Sequence, residues 1–263
     1  GNPPSSTLAS YSQWEDYFWP DAPGVLKNRL NIKDSWQLRE AETRISLVRM
    51  AEIVTQDNPP DVIDLDYYCG LHRKIFGDVY DWAGTPRTVP KFGMSKQWRD
   101  VVNFAPDDRT APWVKYHYRP GPEVAGRAAS QFTMLDFELG DPQKTAPHTF
   151  IPLIATSWGG LDNIHPFREG NTRSQTILFH QICRKYGYEL DGQELFNRRE
   201  EFIGARFHGH ATQQGYGRLI ALLLDTVHQR ERDAEQHSER DLQWAQSLRE
   251  TSARRAGPGG LHL

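Results

Sequence analysis

The run His165-Pro166-Phe167-Arg168-Glu169-Gly170-Asn171-Thr172-Arg173 puts an imidazole, a carboxylate, an amide and a guanidinium within nine residues, with a glycine among them. It lies between two apolar-striped segments, so it reads as a loop opening into a helix. A helix start offers unpaired backbone N–H groups and a partial positive charge, which together bind anions. Gly170 lets the backbone approach a ligand closely. Asn171 would either cap the helix or point its amide at an oxyanion. Arg173 opposes the helix dipole in a first turn, and a phosphate facing it would explain its presence. Beside that phosphate, a neutral His165 is suited to take a proton from an attacking hydroxyl, an effect worth ~10²–10⁴-fold. Glu169 is suited to hold Mg²⁺, which is bound through one or two carboxylates plus phosphate oxygens. Singly, each residue has a bland reading: a structural histidine, a simple cap, a solvated Glu–Arg pair of about 0–1 kcal/mol. Together at one helix start they favour chemistry. Other chemistries lack their motifs: the chain has no H-E-x-x-H, G-x-x-x-x-G-K-[ST], G-x-S-x-G or paired C-x-x-C.

The elements that must position this loop are mostly helical. Leu38, Ala41, Ile45 and Val48 predict one face of a helix over 35–56, which Asn58-Pro59-Pro60 ends. Leu65, Tyr68, Leu71, His72 and Ile75 repeat the pattern, and Gly77 closes it. Helices are expected at 122–139, at 148–164 (Ile151, Ile154, Ala155, Trp158, Leu161), at 172–186, at 197–212 and at 217–230. Between 80 and 100 the period breaks. Pro86, Pro90 and Gly93 punctuate short runs around Arg87-Thr88-Val89 and Lys91-Phe92, a pattern of a small hairpin or extended flap, with an ordinary surface loop as the alternative. The aromatic segment Tyr11 to Pro23 should pack onto the helical body. The charged end from Arg230 to Arg255 reads as one exposed helix with a frayed tail, and nothing in it points to a function.

Composition bounds the class. The chain has 263 residues, 38% hydrophobic and 25% charged, which suits one large domain with small appendages. A net charge of −3 from 31 basic and 34 acidic residues does not advertise nucleic-acid or membrane binding. Cys69 and Cys183 sit among apolar residues and are expected as buried free thiols rather than a disulfide framework. No stretch approaches the ~18–20 apolar residues of a membrane span. The opening residues lack a signal-peptide pattern, so the chain is expected in the cytoplasm where it is made.

At His165–Arg173 the sequence resembles the Fic (filamentation induced by cAMP) family, whose signature is H-P-F-x-[DE]-G-N-G-R-x-x-R. Every defined position through Arg173 matches except Thr172. Ile75-Phe76-Gly77-Asp78-Val79-Tyr80-Asp81-Trp82-Ala83-Gly84 with Arg87-Thr88-Val89 resembles the family's run before its flap. Val25–Leu30 and Leu38–Glu42 resemble the lead-in of Fic proteins related to Bartonella-type effectors and their toxin relatives. The resemblance covers about residues 15–230. It implies a mainly α fold, a helical bundle with a small β-hairpin flap over the active site. The organisation expected is a flexible lead-in over 1–14, a Fic domain over 15–230, and a charged C-terminal helix and tail over 231–263.

The resemblance also implies AMP transfer from ATP, with Mg²⁺, to a Tyr, Thr or Ser hydroxyl of a target protein. By motif position His165 would be the base, Phe167 the loop's anchor in the core and Glu169 the Mg²⁺ ligand. Asn171 and the N–H groups of Gly170 and Thr172 would form the anion hole, with Arg173 on the phosphates. The flap, about residues 87–98 with Arg87, Thr88, Val89, Lys91 and Phe92, would hold the target segment by strand addition. Two positions depart from the pattern: Thr172 replaces the second glycine, and Thr176 the second arginine. Losing a hydrogen bond to a charged group weakens triphosphate binding about ten- to hundredfold; Arg184 or Lys185 would be the nearby cations to compensate. Three alternatives stay open: a Doc-like phosphotransferase with the nucleotide reversed, a Fic-fold binding module that no longer turns over, and use of another nucleotide donor in place of ATP, such as UTP or a CDP-linked compound. The family's inhibitory [ST]-x-x-x-E-[GN] motif is absent, which leaves room for a small antitoxin-like partner. A translocated effector is a further expectation of the same kinship.

Overall fold

The computed structural model describes residues 11–230 and 237–256; the first residues of the expected lead-in and the last residues of the expected tail lie outside them. A 3₁₀ turn at Trp14–Tyr17 leads into a short antiparallel pair, β1 (Phe18–Trp19) with β2 (Ala22–Leu26). Next come α1 (Ser35–Gln56) and α2 (Leu65–Phe76), then a second antiparallel pair, β3 (Ser95–Arg99) with β4 (Trp113–His117). The chain continues as α3 (Gly121–Leu139), α4 (Pro147–Ile164), α5 (Asn171–Lys185), β5 (Tyr188–Leu190), α6 (Gly192–Asn197), α7 (Arg199–Thr212), α8 (Gly217–Thr226), β6 (Val227–Gln229) and α9 (Glu239–Ala256). The mainly helical bundle with small strand pairs is the architecture expected from the sequence.

Local chemistry fixes the helix starts. The Asp34 and Asp64 carboxylates each accept an N–H two residues inside their helices, from Gln37 and Tyr67, at 2.8 Å. α5 is the central helix: from Ser174 to Arg184 every residue is buried. A helix covered on all sides must be enclosed by neighbours, here α1, α2 and α4, with β5 beyond its end. Trp158 of α4 stacks on Phe179 of α5 with ring centres 4.6 Å apart, and Phe150 stacks on Tyr188 at 4.3 Å. Cys69 and Cys183 are free and buried, as read from the sequence. Tyr17 of the aromatic lead is buried edge-on against Trp82.

Several elements differ from the sequence pattern. α1 buries Leu38, Glu42, Ser46 and Met50, while Val48 is exposed. Its inner face is therefore partly polar, because it meets an arginine of α5 described below. The helix expected over 197–212 is α7, a short α6 that the pattern did not predict precedes it, and the helix expected over 217–230 stops at Thr226. There the chain turns extended, and β6 pairs with β5 from Tyr188↔Gln229 to Leu190↔Val227. The C-terminal helix is packed rather than exposed. α9 lies along α1, buries Asp241, Trp244, Ala245 and Ser252, and donates from Ser252 Oγ to the Arg44 carbonyl at 2.8 Å. The His180 Nε2–H of α5 donates to Asp241 at 2.8 Å, a further tie between that helix and the core.

Candidate active site

The His165–Gly170 loop joins the end of α4 to the start of α5, and its shape follows from two left-handed residues. His165 ends α4 at φ +55°, and Gly170 begins α5 at φ +79°. A Cβ on Gly170 would lie 2.3 Å from the Phe76 ring. Gly170→Ala should therefore cost roughly 2–3 kcal/mol, from overpacking and the left-handed backbone together, measurable as a lowered urea midpoint with unchanged slope.

Asn171 closes the loop on itself. Its Oδ1 accepts the Phe167 N–H at 2.9 Å, and its Nδ2 donates to the Phe167 carbonyl at 2.7 Å. This amide is spent on the loop backbone and does not reach out as an anion-binding group would. Phe167 is fully buried, stacked on His72 at 3.8 Å and edge-on to Tyr68 at 5.1 Å. His72 is a residue whose role the sequence pattern hid within an apolar stripe. Its Nδ1 accepts the Gly84 N–H at 2.9 Å and its Nε2–H donates to the Glu169 carbonyl at 2.8 Å, which ties the loop to the segment after α2. Burial pushes this imidazole down to about 3.

No side chain caps α5, so its first-turn N–H groups remain available for an anion. Thr172 is exposed, and its Oγ1 accepts from Arg206 of α7 at 3.2 Å; the Thr176 hydroxyl folds back onto the Thr172 carbonyl at 2.8 Å. Arg173 is held by α1, donating to Ser46 Oγ at 2.7 Å and to the Glu42 carboxylate, which also accepts the Tyr80 hydroxyl. Arg184 and Lys185 cannot stand in for the missing second arginine. They donate to the Asp57 and Asp61 carbonyls between α1 and α2, at the far end of α5. The Glu169 carboxylate is 43% exposed, with Arg168 3.4 Å away. The Arg168 guanidinium lies over the rings of Trp14 (4.0 Å) and Phe18 (5.3 Å), so the aromatic lead packs against this loop.

The imidazole of His165 is 2% exposed, beneath the Tyr118 ring at 3.8 Å, rather than open at the mouth of the cradle. Its Nδ1 faces the buried Asp162 carboxylate at 3.8 Å. Burial pushes the ring down to about 3; Asp162 opposes this, while Lys96 and Arg87 reinforce it. The imidazole is thus neutral at physiological pH, as a base must be. Beside it a cavity of about 160 Å³ opens between β3 and α7, lined by Lys96, Trp98, Tyr118, Thr172, Arg206 and Phe207 among others.

The flap begins later than the punctuation implied. The antiparallel strands are Ser95–Arg99 and Trp113–His117, in register from Ser95↔His117 to Arg99↔Trp113. Thr88, Val89, Lys91 and Phe92 precede the first strand, and Phe92 is 90% exposed. Arg87 is buried, with no freedom to meet a target. It donates to the carbonyls of His165 (2.7 Å), Ile164 (3.0 Å), Arg119 (2.6 Å) and Val89 (3.1 Å). Two of these acceptors belong to the C-terminal turn of α4 and its cap, where a cation satisfies orphan carbonyls. Arg87→Lys keeps the charge but loses the planar fork, and should cost about 2 kcal/mol in chemical denaturation.

The model of the Fic/DOC family matches residues 62–183. A probable protein adenylyltransferase of Sinorhizobium fredii, y4lH, is 30% identical over 192 residues, covering 73% of this chain and 88% of the relative. The protein adenylyltransferase VbhT of Bartonella schoenbuchensis is 27% identical over 203 residues; these are 77% of this chain but 37% of VbhT, so the chain spans little more than a third of that relative's length. Among solved structures, the Bartonella tribocorum effector BepC with bound AMPPNP superposes with a TM-score of 0.65 at 18% identity, over 82% of this chain and 98% of that one. With the signature loop built as described, and a relative of this identity matched over most of its length, the chain belongs to the Fic/DOC family.

Proposed function

We propose that this chain transfers AMP from ATP to a Tyr, Thr or Ser hydroxyl of a target protein. The observation that carries the reading is the neutral His165 beside an uncapped helix start, in a loop whose every bend is fixed by Arg87, His72, Asn171 and Gly170. The names of its relatives, protein adenylyltransferases, support the same reaction. The acceptor oxygen attacks the α-phosphorus, its proton passes to His165, the α–β bridging P–O bond breaks, and pyrophosphate leaves. The N–H groups at the start of α5 stabilise the charge that develops on the phosphoryl oxygens. Tyr118 stacks on one face of the imidazole and limits the directions from which the acceptor can approach it.

Glu169 suits a Mg²⁺ that is shared with phosphate oxygens: its carboxylate is partly exposed, and among the described residues no group of three or more His, Cys, Asp or Glu forms a cage for a metal. Mg²⁺ bound there would neutralise phosphate charge. Arg173 must exchange Glu42 for the nucleotide if it is to bind phosphate, and Thr176 leaves the second arginine unreplaced. No helix among the described residues is long and apolar enough to cross a membrane; a translocated effector, or a chain held by an antitoxin-like partner, would both fit this site.

Thr172, a side chain at the edge of the cradle, favours one competing reaction, phosphate transfer from a reversed nucleotide. Incubation of the protein with Mg²⁺, a cell lysate and ATP labelled at either the α or the γ phosphorus separates the two. Label from the α position on a protein band supports AMP transfer. Label from the γ position alone supports the phosphotransferase, and label from neither rejects both.

A further inference from the structure

Behind His165 lies a buried charged cluster drawn from residues outside the signature apart from Thr172. Asp162, one turn earlier on α4, is 3% exposed. Its Oδ2 accepts the His210 Nε2–H at 2.8 Å, and the His210 Nδ1 accepts the Tyr216 hydroxyl at 2.7 Å. Its Oδ1 accepts from Arg206 at 3.2 Å and stands 3.8 Å from the His165 Nδ1. Burial by itself would raise this carboxyl, but Arg206 first, then the nearby His165 and the hydrogen-bonded His210, hold it well below the usual carboxylate range. The His165 Nδ1 is buried and has no hydrogen-bond partner at this distance.

We propose that Asp162 is the positioning residue for His165: it accepts a hydrogen bond from Nδ1–H, so that Nε2 keeps the lone pair that receives the acceptor's proton. The proposal rests on the AMP-transfer reading and extends it to a residue the signature does not contain. Two constraints converge on this assignment. A buried carboxylate fixed by Arg206 and His210 cannot swing away, so the ring turns toward it; hydrogen bonds of this kind are often long before substrate binds and tighten in the reacting complex. The second constraint is charge. Lys96 and Arg87 both act on His165 electrostatically, and Asp162 is the anion that offsets them when the imidazole becomes imidazolium. Asp162 stays ionised throughout, and no proton passes to it. Arg206, bonded to both Asp162 and Thr172, links this support to the residue at the second-glycine position.

Long-range ¹H–¹⁵N correlation spectra of the imidazoles in the ¹⁵N-labelled full chain read the tautomer, with the His165 signals identified by their loss in His165→Ala. The expected result is a wild-type His165 protonated at Nδ1, and a shift toward the Nε2–H form in Asp162→Asn. The same variant should transfer α-label at least about 100-fold more slowly, with KM for ATP and Mg²⁺ within about threefold. A wild-type ring protonated on Nε2 overturns the proposal, and that spectrum decides it even should the variant fail to fold. An Asp162→Asn protein that keeps both tautomer and rate also overturns it. If wild type transfers no label at all, the AMP-transfer reading falls, while the spectrum still reports whether Asp162 orients the ring.

Discussion

His165→Ala should abolish transfer of α-label to protein, lowering the rate at least about 10²–10⁴-fold, while leaving the ATP cradle assembled. The separation is possible because base and cradle are built by different atoms. The cradle is the first turn of α5, shaped by the Asn171 side chain on Phe167, by Gly170 and by the His72 bond to the Glu169 carbonyl. The contacts of residue 165 that hold the loop are made by its main chain, whose carbonyl Arg87 grips at 2.7 Å. The left-handed backbone at φ +55° is already borne by a Cβ in the wild type, so alanine adds little strain; it leaves a void under Tyr118, and the variant should fold with a lowered midpoint. ATP affinity by calorimetry should stay within about fivefold of wild type. A rate loss matched by an equal loss of ATP affinity would mean that the imidazole shapes the cradle rather than serving as base. The pH profile adds a second signature. Because burial holds the ring neutral down to about 3, the wild-type rate should show no fall near 6.5, where an exposed histidine base would begin to protonate.

What the sequence made legible, and what it hid, divides along a physical line. α1 and α2 were readable because their apolar residues recur at helical spacing and Asn58-Pro59-Pro60 and Gly77 mark their ends; the caps Asp34 and Asp64 agree with those starts. The signature loop was readable because a glycine, a cap and a histidine coincide at one helix start. The pairing of β5 with β6 was hidden because strands of three residues carry no period, and the partners stand on either side of α6, α7 and α8. The flap was misplaced because Arg87-Thr88-Val89 has strand-like composition, whereas the arginine's real task, gathering carbonyls from distant segments, leaves no local trace. His72, Asp162, Arg206 and His210 were missed for the same reason. Each looks like an ordinary residue of a helix until the fold brings α2, α4 and α7 around one loop. Asn171 was recognised as important, but its two possible partners, backbone or ligand, differ only in three dimensions.

That dependence on neutral, buried imidazoles also sets how the fold responds to acid. His72 and His165 are both pushed by burial to about 3, against about 6.5 in an unfolded chain. Between those values the unfolded state binds protons that the folded state refuses, so stability rises with pH across the window and is lost as pH falls below about 6.5. Each ring contributes about 1.4 kcal/mol per pH unit there, so moving from pH 7 to pH 5 should cost roughly 4 kcal/mol, a large part of a typical domain's stability. For His72 the cost has a visible cause. Protonating its Nδ1 removes the acceptor of the Gly84 N–H, and the ring has no room to turn between Phe76 and Phe167. Urea denaturation at pH 7, 6 and 5 should show the midpoint falling steeply. The slope of stability against pH should be clearly smaller in His165→Ala, while His72 and the partly buried His208 and His237, also pushed down, keep the rest of it. Stability that is unchanged between pH 7 and pH 5 would contradict the placement of both rings, because a histidine able to take up a proton in the folded state has no such linkage. The same argument gives the order of events on acidification: the loop tied by His72 to the segment after α2 loosens before the carboxylates of the cluster titrate, since Asp162 stays ionised to well below the usual carboxylate range despite its burial, held there by Arg206 and its histidine partners. Activity lost reversibly near pH 5 would therefore trace to the loop coming undone and not to protonation of a functioning base.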